Sequence, residues 1–258
     1  MSESFSVLVF TKTAAYRHES IPAAITAWKR LAQASQHPNS TSPAFTVEAS
    51  EDASIFESVQ LSRFRVIVFQ HVSGEFLNSL QLDALKGFVR AGGGVVGIHT
   101  ATTGMPSCDV GCVDKEGWYE KLIGGSFDVH PKPQDGIIRA ESLSHPILTR
   151  GLLGQGDGLT TFQQPTVTRH WFDEWYNFKK PPQQNSNLNI LLSVDERTYE
   201  GGTLGENHPI IWCQDFEGGR VFQTTLGHFD SAYEDEMFMG QVLSGLLWAA
   251  GLLQVLGA

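Results

Sequence analysis

The sequence has few basic residues and no long apolar run. Lysine and arginine number 18 against 28 aspartate and glutamate residues, which gives a formal net charge of −10 at pH 7. A surface with this average charge repels nucleic acids and anionic membranes. No apolar run approaches the ~18 to 20 residues that a membrane-spanning helix needs. We therefore expect neither a nucleic-acid partner nor a membrane partner.

Cysteine is also scarce. The chain has only Cys108, Cys112 and Cys213, an odd number for a disulfide framework. The Cys-x-x-x-Cys spacing of the first two would suit a disulfide or a metal pair, but a reducing compartment keeps such thiols free. The chain opens on the strand-like run Phe5–Phe10 after a short tail, and this start does not resemble a signal peptide. We therefore expect a cytoplasmic protein with free thiols.

What the sequence does contain is typical of a folded globular protein. Hydrophobic residues make up 41% and charged residues 18% of the 258 positions, with 16 Phe and 6 Trp. Disordered and fibrous proteins do not have this composition. The length lies between one large domain and two small ones. Because no repeat or linker divides the chain, we expect a single domain over residues 1–258.

The first hundred residues alternate between strand and helix patterns. Apolar residues at helical spacing separate short β-branched runs, and the run from Phe64 to Gln70 is typical of a strand buried on both faces. Units of this length predict an α/β, flavodoxin-like fold with a mainly parallel central sheet and helices on both faces. We expect three neighbouring parallel strands at the sheet centre, namely Val7–Val9, Val66–Val68 and Val95–Ile98.

The second half of the chain predicts further strands and a closing helix. The runs Pro209–Phe216 and Arg220–Thr225, separated by a glycine-containing turn, indicate an added β-hairpin near the C-terminus. The closing helix runs from about Asp235 to Ala250. The other predicted strands are Gly136–Ala140, Trp171–Tyr176 and Leu188–Val194.

Histidines follow three of the predicted strands. His18, with Arg17, lies in the loop after the first strand, His71 directly after the third and His99 directly after the fourth. Ligands of open parallel sheets bind beyond the carboxyl ends of the strands, so these residues are expected at one ligand-binding edge. His99 lies between small residues in the run 97–101, as a strained nucleophile elbow requires.

The run Gly92–His99 is one of several motifs, in order along the chain, that resemble the ThuA-like (trehalose utilisation) family. The others include Tyr16-Arg17-His18, Leu122–Phe127 with His130, Asp173–Tyr176 and Gly219–His228. The resemblance implies the class I glutamine amidotransferase-like fold. It also implies a role in carbohydrate catabolism, with a disaccharide or keto-sugar as the small-molecule substrate. The cofactor stays unknown, and a homo-oligomer stays open.

The related amidotransferases have a cysteine at the elbow, where this chain has His99, and a downstream His-x-Glu, where it has His228 and Asp230. Thiolate chemistry on glutamine is therefore not expected. Imidazole titrates near neutral pH, and a desolvated carboxyl group can be tuned towards it, so the two together suit proton transfer. We expect His99, Glu174 and His228 to be catalytic, with His99 and Glu174 as the acid and base.

The substrate-binding residues are expected to be Arg17, His18, His71 and His130. We expect His99, His130 and His228 to line one cleft, with His18 and His71 on its rim.

Two alternatives stay open at this point. Several histidines and a carboxylate also suit a divalent zinc, manganese or iron site, with His99, His130 and His228 as candidate ligands. A non-catalytic sugar- or partner-binding module would instead keep the cleft without its chemistry. Only an enzyme needs His99, Glu174 and His228 in one pocket.

Overall fold

The computed structural model describes residues 4–35, 44–57, 60–151 and 168–253. The polar stretch 37–43, which follows the first predicted helix, lies outside this part. None of the described helices is long and apolar enough to cross a membrane. The strands are β1 (Phe5–Phe10), β2 (Phe45–Ser50), β3 (Phe64–Gln70), β4 (Gly94–Ile98), β5 (Phe127–Val129), β6 (Gln134–Ala140), β7 (Thr168–Asp173), β8 (Asn177–Phe178), β9 (Asn189–Asp195), β10 (His208–Phe216) and β11 (Gly219–Thr224). The α-helices are α1 (Ile21–Ala34), α2 (Ser79–Arg90), α3 (Trp118–Ile123), α4 (Pro146–Gly151) and α5 (Glu236–Ala249).

Nine of the strands form one sheet in the order β2-β1-β3-β4-β11-β10-β9-β6-β7. The expectation of three neighbouring parallel strands is confirmed, because Val7 pairs with Val66 and Val68 pairs with Val96 in parallel register. The helices lie on both faces. Alternate residues of β1 separate into two cores, with Val7 and Val9 packed with α1 and α5, and Leu8 and Phe10 packed with α2 and α3.

The sheet extends further than an added hairpin. Strand β11 inserts beside β4 in parallel register, and β10, β9, β6 and β7 continue the sheet with antiparallel pairs. The chain between β9 and β10, and between β10 and β11, has no crossover helix, and a parallel connection would need one. The result is a mixed α/β sheet that is parallel on one side of β11 and antiparallel on the other.

The sequence predicted that this strand ends at Tyr176, but strand β7 ends at Asp173. The carboxylate of Asp173 accepts the backbone N–H of Glu174 at 2.9 Å, which turns the chain out of the ladder. Glu174 therefore lies beyond a strand end, in the position that the sequence had identified for the histidines.

The expectation of free thiols at Cys108 and Cys112 is wrong, because the two form a disulfide with Cα atoms 5.7 Å apart. The expectation rested on the compartment and not on the geometry. Both cysteines lie in the loop that precedes α3, which is largely exposed. Their Cα distance is within the range that a disulfide bridges. Cys213 is free and buried in the core.

Candidate active site

Two strand-end histidines adopt a left-handed backbone. His71 follows β3 with φ 55°, and His99 follows β4 with φ 52°. Such angles are rare in residues other than glycine and cost about 1 to 3 kcal/mol, so they persist where the surrounding structure fixes them. Because β3 and β4 are adjacent, the two turns project both imidazoles to the same edge of the sheet.

His99 has a defined tautomer. Its Nδ1 lies 2.6 Å from the carbonyl oxygen of Thr225, which only accepts hydrogen bonds, so Nδ1 carries a proton. Nε2 therefore presents its lone pair in the neutral ring. It lies 2.8 Å from the hydroxyl of Tyr176 and 3.3 Å from Nδ1 of His228. The side chain of His99 is 0% exposed, so His99 lies in the interior of the protein.

Glu174 joins three of the predicted histidines. Its Oε2 lies 3.1 Å from Nδ1 of His228 and 3.4 Å from Nε2 of His99, and its Oε1 lies 3.6 Å from Nε2 of His130. The Glu174 side chain is 9% exposed and that of His228 is 19% exposed. The structure thus brings the three predicted catalytic residues together, and we call the partly exposed surface at Glu174, His228 and His130 the cleft.

His18 and His71 do not lie on the rim of the cleft. His71 is fully buried and donates or accepts through Nε2 with Ser20 and Tyr233. His18 stacks on His71 at 4.7 Å between ring centroids and meets the ring of His228 edge to face at 5.0 Å. The helices and loops pack over both rings, so His18, His71, His99 and His228 with Glu174 form one interior group, which we call the histidine cluster.

The remaining predicted substrate-binding residues lie outside the cluster's centre. His130 is partly exposed, and its Nδ1 donates to the carbonyl of Pro131 at 2.8 Å. Arg17 forms an ion pair with Glu51 at 2.6 Å, and both side chains are about half exposed. The structure therefore places His130 at the mouth of the cleft and Arg17 on the outer surface.

Two residues that the sequence analysis did not assign to the site hold it in shape. Asp173 is buried and accepts the backbone N–H groups of Gly227 at 2.9 Å and His228 at 3.3 Å. Tyr176 bonds His99 through its hydroxyl, and its carbonyl accepts Nε2–H of His208 at 2.8 Å. Both residues flank Glu174 in the sequence, so proximity to a candidate carboxylate was the available signal.

The charges of the cluster are coupled. Burial alone would raise the pKa of Glu174, as the sequence predicted, but hydrogen bonds with His228 and His99, and the charge of these rings when they are protonated, hold it well below its ordinary value. Burial alone would lower the pKa of His228, but the hydrogen bond and charge of Glu174 raise it. The expectation of a glutamate tuned towards neutral pH is therefore wrong, and the histidine is the group that is tuned.

We expect the free energy of unfolding to fall as the pH drops below 6.5. Burial lowers the pKa of His18 to about 3, and burial also lowers the pKa values of His71 and His208. Below pH 6.5 the unfolded chain therefore binds protons that the folded protein does not bind. The contribution of each histidine to the free energy of unfolding is present above pH 6.5 and is lost below it, by up to about 1.4 kcal/mol per pH unit. The contribution of His228 to stability has the opposite pH dependence. It is lost as the pH rises through the raised pKa of His228.

Urea unfolding between pH 7.5 and pH 5, in EDTA, measures this slope. His208→Gln should flatten it, whereas the same change at the exposed His170 should not. A stability that does not change over this range would contradict the assignment of neutral buried histidines.

Four residues of the cluster could hold a metal ion. His18, His99, Glu174 and His228 each offer a ligand atom, and these atoms lie within 4.8 Å of one another. The distances among Nε2 of His99, Nδ1 of His228 and Oε2 of Glu174 are 3.1 to 3.4 Å. A tetrahedral ion with bonds of about 2.0 Å separates its ligands by about 3.3 Å. The candidate ligand set is therefore His18, His99, Glu174 and His228. His130, which the sequence predicted as a ligand, is not part of it.

The family model described as "ThuA: Trehalose utilisation" matches residues 6–249. The chain belongs to the ThuA family. A comparison with curated proteins gives no significant match.

Solved structures show the same fold for this ThuA family chain. A ThuA-like protein from Bacteroides uniformis is similar at 20% identity and a TM-score of 0.72, with 96% of this chain and 93% of that chain covered. One from Parabacteroides merdae is similar at 17% identity and a TM-score of 0.66, with 99% and 93% covered. A β-galactosidase from Rahnella sp. R3 matches at 10% identity and a TM-score of 0.52, with 98% of this chain but 32% of that chain covered. At these identities the likeness concerns the fold.

In this ThuA family member the carboxylate that bonds His228 is Glu174. Asp230, which the sequence analysis compared with the glutamate of the amidotransferase His-x-Glu motif, is exposed at the start of a 3₁₀ turn. The carboxylate therefore comes from the end of β7 and not from two residues downstream of the histidine.

Proposed function

We propose that the protein is an enzyme of sugar metabolism that transfers a proton to or from a disaccharide or keto-sugar through His228, oriented by Glu174. The observation that carries this proposal is the contact of 3.1 Å between Nδ1 of His228 and Oε2 of Glu174 in a partly exposed cleft. Membership of a family described by trehalose utilisation supports the substrate class.

The contact has the geometry of a carboxylate–imidazole pair. Glu174 accepts Nδ1–H, which orients the ring and stabilises its charged form, as the carboxylate of a catalytic triad does. Among the described residues, Nε2 of His228 has no hydrogen-bond partner, so we assign the contact with the substrate to this nitrogen. Nε2 would give up or take the proton, and Glu174 would remain ionised throughout.

His99 and Tyr176 act behind this pair. His99 is fully buried, so we assign it a positioning role through its contacts with Glu174 and His228. The Tyr176 hydroxyl lies within hydrogen-bond distance of Nε2 of His99, at 2.8 Å, and holds that ring from the side opposite Thr225. His130, at the mouth, would contact the sugar together with Arg17 further out.

Proton transfer of this kind suits two reactions. A carbonyl group acidifies the neighbouring C–H bond of a keto-sugar, so a base near pH 7 can abstract that proton. A protonated imidazole can alternatively donate to the leaving oxygen of an activated glycoside. We propose that the fold is an amidotransferase-like one in which this pair replaces the thiol, and that residues 1–258 act as one domain. We also propose that the protein is cytoplasmic, a compartment that would reduce the Cys108–Cys112 disulfide.

A second candidate is a metal-assisted enzyme on the same sugars, favoured by the ligand spacing of His99, Glu174 and His228. A divalent ion there would polarise a sugar carbonyl or hydroxyl. His228 would then be a ligand and not the proton carrier.

One experiment tests both candidates. Protein purified without chelator or affinity tag is analysed for metal and is then incubated with a panel of keto-disaccharides, followed by NMR. Turnover without stoichiometric metal is the expected result. Turnover that needs one bound ion would favour the metal-assisted enzyme, and binding without any turnover would favour a non-catalytic sugar-binding module.

A further inference from the structure

Among the described residues, few aromatic rings are exposed, and one of them contacts the histidine cluster. Seven large hydrophobic side chains are exposed among the described residues, and of these only Tyr16 and Phe172 are aromatic. Tyr16 meets the ring of His18 edge to face, with 4.8 Å between centroids. Phe172 reaches His228 only through Phe229, by two further ring contacts. Of the two exposed rings, Tyr16 therefore contacts the cluster directly and Phe172 does not.

Tyr16 combines an exposed ring with a fixed backbone. The ring is 65% exposed. The carbonyl of Tyr16 accepts the hydroxyl of Ser73 at 2.7 Å, and the backbone of Ala14 bonds the carbonyl of Ser73 at 2.8 Å. The neighbouring Arg17 is held by its ion pair with Glu51. A ring on such a loop loses little conformational freedom when a ligand binds.

The fold does not require this ring, because most of its surface stays in water. The C–H face of a pyranose packs well on an aromatic ring. Tyrosine offers an aromatic ring with a polar hydroxyl at its tip. We propose that Tyr16 is the platform for the second ring of a two-ring sugar, while the reacting ring lies over Glu174 and His228. The proposal rests on the proposed function and narrows its substrate to a disaccharide.

The arrangement of the rings supports this assignment. His18 lies 4.8 Å from Tyr16 and 5.0 Å from His228, so one imidazole separates the platform from the proton-transfer group. The half-exposed side chains of Arg17 and Glu51 supply polar groups next to the platform for sugar hydroxyls. The tryptophans cannot take this role, because those near the cleft, Trp171 and Trp175, are buried.

The experiment measures the dissociation constants of trehalose and of glucose by NMR titration. Tyr16→Ala should weaken trehalose binding about 3- to 10-fold and leave glucose binding unchanged. Tyr16→Phe keeps the ring and should bind both sugars as the parent does. Phe172→Ala removes the other exposed aromatic ring of the described residues and should also have no effect.

The inference is overturned if the parent binds trehalose no more tightly than glucose, or if Tyr16→Ala changes neither sugar or both equally. A loss in Phe172→Ala without a loss in Tyr16→Ala would also overturn it. These titrations need no turnover. A platform that binds trehalose in a protein without activity would therefore contradict the proposed enzyme and leave the platform standing.

Discussion

His228→Gln is expected to lower kcat on a keto-disaccharide by about 10²- to 10⁴-fold, which is the usual contribution of general acid–base catalysis. Glutamine can still donate a hydrogen bond to Glu174, but it cannot carry a proton between pH 5 and 9. Binding of the sugar uses other groups, so KM should change little. Steady-state kinetics of the folded variant measure both constants.

The matched control is His170→Gln, which makes the same change at an exposed histidine of β7. It should keep the parental kcat. If His228→Gln turns over the same substrate at the parental rate, His228 is not the proton carrier.

Glu174→Gln is expected to have an effect of similar size for a different reason. The amide has the shape of the carboxylate but no charge, so it no longer stabilises the imidazolium of His228 or fixes its tautomer. Loss of the equivalent carboxylate from a catalytic triad lowers kcat by about 10⁴-fold. The pKa of His228 should fall, because Glu174 raises it more than Asp173, the other group that does so. The limb of the kcat profile that reports His228 should then move to lower pH.

Glu200→Gln changes an exposed glutamate outside the histidine cluster, whose backbone bonds the side chain of Gln134, and should leave the profile in place. An unchanged profile in Glu174→Gln would show that Glu174 does not act on His228. If the variant instead loses a bound metal together with its activity, the carboxylate is a ligand, as the metal-assisted candidate requires.

The strand ends were the most predictable part of the molecule. The β-branched runs before Val9, Val68 and Ile98 are buried on both faces, so their pattern determined the parallel centre of the sheet. The rule that ligands bind at the carboxyl ends then placed His71 and His99 at one edge, and the left-handed turns show how the backbone achieves this.

The interior arrangement of the site could not be predicted in this way. Strand ends locate residues but do not say which ring lies deeper, and burial of His18 and His71 depends on the packing of later segments over them. The pKa of Glu174 was predicted in the wrong direction because desolvation was considered without the surrounding histidines. Asp173 and Tyr176 act through hydrogen bonds to distant backbone and side chains, which no local pattern encodes.

The antiparallel half of the sheet shows a similar limit. Each strand from β9 to β11 was visible as a short apolar run, but the insertion of β11 beside β4 depends on pairing over more than a hundred residues. The same insertion carries Thr225, the partner of His99, and Gly227 and His228 to the cleft.

NMR titration of histidine side chains in the parent protein and in Glu174→Gln tests the pairing of Glu174 with His228 without any substrate. The account predicts that His228 of the parent is protonated at Nδ1 and titrates above the ordinary value of 6.5, and that its pKa falls in Glu174→Gln. A His228 that titrates at or below 6.5 in the metal-free parent, with the same midpoint in the variant, would contradict it.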